Sequence, residues 1–97
     1  MMQDEAPLTL DDFTGLVGRA MTVERPEGPV DLTLAEAQPL PPSPREGGAF
    51  RLEFEGPLQP ELGQGIYGFR LDRGPTEIFI VPIARTDEAM RYEAIYF

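Results

Sequence analysis

The strongest constraint on this chain is a change of period at Gly18. From Arg19 onward, apolar and polar residues alternate in short runs punctuated by Gly or Pro. That pattern places one set of side chains on each face of a β-strand. The cleanest run sets Phe50, Leu52 and Phe54 against Arg51, Glu53 and Glu55. Arg19 to Arg25 reads as an earlier strand, Glu27-Gly28-Pro29 as a turn, and Val30, Leu32 and Leu34 as the apolar face of the next strand. Gly65 to Leu71 puts Tyr67, Phe69 and Leu71 on one face, and Met90 to Phe97 does the same for Met90, Tyr92, Ala94 and Tyr96. Glu77 to Ile83 is apolar on both faces, which predicts a central strand or one covered by a helix. Pro82 cannot donate to a ladder and predicts a bulge within it.

Ahead of Gly18 the period is helical. Leu10, Phe13, Leu16 and Val17 share a face, Thr9 stands where a cap belongs, and Asp11 and Asp12 suit the positive end of a first turn. The spacing predicts a helix over Thr9–Val17, lying as a lid on the core. The expected fold is mainly β: a single antiparallel β-barrel or sandwich of six to seven strands with one short N-terminal helix. With 97 residues, one domain spans 1–97, with 1–7 as a tail and 38–48 as a Pro/Gly-rich loop.

Composition removes whole classes of chemistry. Cys and His are absent, which excludes disulfides, thiolate or imidazole metal sites, cysteine nucleophiles and the usual neutral-pH base. All positive charge is arginine, so Schiff-base chemistry goes too, and the lone serine, Ser43, has no histidine to take its proton. Catalytic and cofactor-binding residues are expected to be absent. The 17 acidic and 8 basic residues leave a net charge of −9, which repels phosphate backbones and anionic lipid. Nucleic acid and membrane surfaces are therefore not expected partners. The start Met-Met-Gln-Asp-Glu-Ala-Pro reads as no secretory signal, and the longest apolar run, Ile78 to Ala84, falls far short of the roughly 20 residues a bilayer span needs. A cytoplasmic location is expected.

Several carboxylate pairs need an account. Glu53 and Glu55 point to one side of a strand, at a separation two-carboxylate sugar hydrolysis could use, but their alternation with apolar residues predicts the solvent face. Asp11 with Asp12 suits a helix start, and Asp87 with Glu88 a hairpin tip; neither pair sits in an Asp-rich cation loop. Gly63-Gln-Gly65 precedes a strand and no lysine follows, so both nucleotide fingerprints fail. Two segments suggest contact with other proteins. Pro41, Pro42 and the following Arg45 have the spacing polyproline-reading domains bind, or else form a stiff connector. Tyr92, Ile95, Tyr96 and Phe97 lie on the terminal strand, which either completes the domain's own sheet or offers an edge to another chain.

Across nearly the whole chain, the residues also carry a family resemblance. They are Leu10, Phe13 and Leu16-Val17-Gly18; Gly28-Pro29-Val30, Leu32, Leu34 and Glu36; Arg45, Gly47-Gly48, Phe50, Leu52, Phe54 and Gly56-Pro57; Gln64-Gly65 and Tyr67; Val81-Pro82-Ile83; and Arg91-Tyr92-Glu93-Ala94. This pattern resembles a family of small bacterial domains of unknown function, loosely associated with phage-tail-like and tail-collar gene neighbourhoods. The resemblance implies a stand-alone β-rich domain, structural or accessory to assembly, and carries over no catalytic residue. The expected function is a non-enzymatic protein-interaction or assembly module, acting through a protein partner or self-association. The alternative is a small-molecule or glycan-binding barrel, with Tyr67, Phe69 and Tyr92 lining its mouth near Glu53, Glu55 or Arg70.

Overall fold

The computed structural model describes residues 8–40 and 49–96. Its elements are α1 (Asp11–Thr14), β1 (Ala20–Glu24), β2 (Val30–Pro39), β3 (Phe50–Gly56), β4 (Gly65–Leu71), β5 (Gly74–Arg85) and β6 (Met90–Tyr96). The six strands close into an antiparallel barrel in the order β1-β2-β3-β6-β5-β4. Inward positions carry the core expected from the alternation: Val23, Leu32, Leu34, Phe50, Leu52, Phe54, Phe69, Ile78, Ile80 and Tyr92 are all fully buried.

Chain order determines what closes the ends. Neighbouring strands run antiparallel, so successive connections fall at alternate ends of the barrel. α1 lies at the end where β6 finishes; Phe13 packs its ring 5.9 Å from Phe50, which stacks on Tyr96 at 4.7 Å. β3 and β4 are consecutive in sequence but not neighbours, so the segment joining them must cross the opposite end. That crossing carries Leu58 and buried Leu62 against the core and includes a cis Gln59-Pro60 bond. The Leu62 N–H donates to the Tyr92 hydroxyl at 2.9 Å, anchoring the crossing to the barrel wall.

Two expectations are corrected and two open alternatives are decided. The helix is one turn, Asp11–Thr14, rather than Thr9–Val17. β-branched Thr14 and Gly15 are both poor helix residues, so the ladder stops there. Asp12 still reaches back to accept the Thr9 N–H at 2.8 Å, and Gly18 still ends the segment at a φ of 91°. Gln38 and Pro39, expected at the start of the 38–48 loop, instead extend β2 opposite Arg51 and Phe50, and residues 41–48 of that loop lie outside the described residues. A bulge between Leu34 and Glu36 shifts the alternation of β2, so Ala37 turns inward while Glu36 and Gln38 face out. β5 is not covered, since α1 caps a barrel end and leaves the outer wall open; Phe79 is 48% exposed. The terminal strand offers no edge, because β6 pairs with β3 on one side and β5 on the other. Closure by full pairing is what removes an edge. The irregularity anticipated at Pro82 is present, as a register shift between Pro82 and Ala84.

Candidate functional site

The outward face of the barrel wall carries a charged cluster and, beside it, a row of apolar residues. In the charged cluster, Glu36, Glu53 and Glu93 stand side by side across β2, β3 and β6. Adjacent like charges would repel, and Arg51 resolves this. Its Nε donates to Glu93 at 2.8 Å and its Nη2 to Glu53 at 3.0 Å, while Nη1 lies 3.5 Å from Glu36. Arg91 donates to the other oxygen of Glu53 and reaches Glu55 at 2.8 Å. Glu53 is therefore buried beneath two guanidinium groups, not solvated as its alternation suggested.

These contacts decide the chemistry of the pair. Burial pushes the Glu53 carboxyl up, but the hydrogen bonds from Arg51 and Arg91 outweigh it and hold it below the usual carboxylate range. The hydrogen bond to Glu53 in turn raises Arg51, against an opposing effect of burial. A carboxylate kept ionised in this way accepts hydrogen bonds but does not serve as the protonated acid that sugar hydrolysis requires.

The aromatic groups expected at a barrel mouth are elsewhere. Phe69 and Tyr92 are fully buried in the core, and burial raises the Tyr92 hydroxyl above its ordinary value. Tyr67 donates its hydroxyl to the Gly63 carbonyl at 2.9 Å. Glu53 and Glu55 lie on the outer face of β3, on the opposite side of the wall from these rings, so the two groups do not converge. Among the described residues, no group of three or more carboxylates is arranged to hold a metal ion. Asp12 pairs with Arg73, and Asp87 and Glu88 sit on the β5–β6 hairpin, where the Thr86 hydroxyl accepts the Glu88 and Ala89 N–H groups.

In the apolar row, Ile66 of β4 faces Phe79 of β5 directly, at 65% and 48% exposure. Val81 faces Glu93 of β6, and continuing that register two residues sets Ile95 beside Phe79. Ile95 is 42% exposed, and Ile83 continues the apolar surface along β5. Of the residues singled out from sequence, Ile95 alone belongs to this row. Tyr92 is inside the core and Tyr96 is half-buried against Phe50. Pro41, Pro42, Arg45 and Phe97 lie outside the described residues. Ile66 and Phe79 were missed. The signal for Phe79 was the two-sided apolar character of Glu77 to Ile83, which also fits a covered strand.

Fold and surface together define a small closed antiparallel barrel with plugged ends and an exposed apolar row on one side of its outer wall. The chain belongs to the family described as Domain of unknown function (DUF6916), whose model matches residues 8–96. No curated protein and no solved structure matches it. No helix among the described residues is long and apolar enough to cross a membrane.

Proposed function

We propose that this domain is a non-enzymatic interaction module that docks a protein partner on the outer wall of β4, β5 and β6. The supporting observation is the row formed by Ile66, Phe79 and Ile95, exposed and contiguous across three strands. Single exposed apolar residues are ordinary, whereas contiguous ones mark contact surfaces. Each barrel strand pairs with a neighbour on both sides, which favours docking by side chains over strand addition. The core-facing placement of Phe69 and Tyr92 weighs against a ligand cavity in the barrel.

The setting carried over from the sequence resemblance is an accessory of a tail-like or fibre-like assembly. Affinity purification from the native host with wild-type and Phe79→Asp baits tests the docking reading. A partner retained by the wild type, lost with the variant and rebinding as a purified protein supports it. A partner that binds both baits equally refutes the assignment of the surface.

A further inference from the structure

The chemistry of the partner can be read from what surrounds the row, granted the docking reading above. Outward Glu77 precedes Phe79 on β5 and faces side-chain-free Gly68, so its carboxylate borders the row without a neighbour on that side. Outward Glu93 faces Val81 on the adjoining strand. Toward the crossing end, Ile66 continues into an open cleft of about 470 Å³, which Pro26 and Tyr67 also line and where Glu24, Glu27 and Glu61 stand. The cations nearby are committed: Arg25 pairs with Glu27, Arg70 with Glu24, Arg85 with Glu61, and Arg51 with Glu93. Two of these pairs, Arg70 with Glu24 and Arg85 with Glu61, are well exposed, and such pairs are weak enough for an incoming cation to compete.

An apolar centre with an acidic surround, on a chain of net charge −9, selects its complement. A second copy would bring a like charge of −9 and set acidic rims against each other. We infer that the docked partner is a basic protein segment: aliphatic or aromatic residues that cover Ile66, Phe79 and Ile95, flanked by arginine or lysine that reaches Glu77 and the exposed carboxylates of the cleft. Apolar contact holds the segment, and its charges set orientation and approach rate.

Selection from a random dodecapeptide library displayed on phage, with wild-type protein as bait and Phe79→Asp for counter-selection, tests this directly. Phe79 projects outward, so the variant should keep its fold, which circular dichroism checks; Ile95→Glu provides an independent second variant. The expected result is enrichment of peptides with apolar residues flanked by at least two basic ones. Glu77→Arg, which leaves the apolar row intact, should weaken their binding by about three- to tenfold at low salt. Enriched peptides that need Phe79 but are neutral or acidic would overturn the basic partner and leave docking intact. Failure to enrich any Phe79-dependent peptide would overturn both. Light scattering that shows a wild-type dimer dissociated by Phe79→Asp would make a second copy the occupant and also overturn the inference.

Discussion

Replacing Tyr92 with Phe removes one oxygen from the interior and keeps the ring. That oxygen accepts the Leu62 N–H at 2.9 Å, and both residues are buried. Without it, a buried backbone donor loses its partner inside the crossing that closes the barrel, at a cost of about 1–3 kcal/mol. Taking about 2 kcal/mol, a domain this size should lose roughly 8–16 °C in Tm. Its urea midpoint should fall by about 1–2 M with the slope unchanged. Hydrogen exchange should localise the effect, with the amides of the crossing opening more often than those of β2 and β3. Tyr67→Phe is the control: its hydroxyl meets the Gly63 carbonyl at an exposed position, so its loss should cost within about 0.5 kcal/mol. Equal midpoints for Tyr92→Phe and wild type would refute the anchoring role.

Three further predictions concern charge, packing and the outer wall. The folded Glu53 carboxyl titrates below its ordinary range, so its contribution is complete above that range and is lost as pH falls through the folded value. Glu53→Gln should therefore be less stable than wild type by about 1–3 kcal/mol at pH 7, toward the low end because Arg91 is well exposed, and the gap should narrow in urea titrations below about pH 4.5. Gly56 faces inward, where a Cβ would overlap the Leu32 side chain, so Gly56→Ala should cost about 1–3 kcal/mol by overpacking in the same assay. Phe79→Asp should change Tm by only a few degrees while abolishing partner binding, as thermal melts and binding isotherms on one preparation would show.

The strands were legible because alternation against a single core has one physical meaning. Phe50, Leu52 and Phe54 face inward as their spacing required, and Gly18 stops the first segment as glycine should. The helix was overread because four apolar residues at helical spacing say nothing about Gly15, whose cost falls mid-segment. The β2 bulge was invisible because Ala35, Glu36 and Ala37 fit either phase, and only the pairing with β3 decides between them. Burial of Glu53 escaped for a related reason. Its cover comes from Arg51 two residues away and Arg91 on a strand 38 residues distant, a neighbour known only once the barrel closes. Closure also redirected attention from the terminal edge to the wall. Ile95 was singled out on the terminal strand, but its alignment with Phe79 and Ile66 depends on β6 lying beside β5 and β5 beside β4.

The central claim is that the outer wall of β4, β5 and β6 is the docking surface. The most direct measurement is a two-dimensional amide NMR titration of the protein with a partner segment recovered by the Phe79-dependent selection. Shifts and broadening concentrated at Ile66, Phe79, Val81 and Ile95, with Thr22, Thr33 and Glu55 unmoved on the far wall, are the predicted result. Shifts centred on β1, β2 and β3, with Phe79 unchanged, would contradict the account.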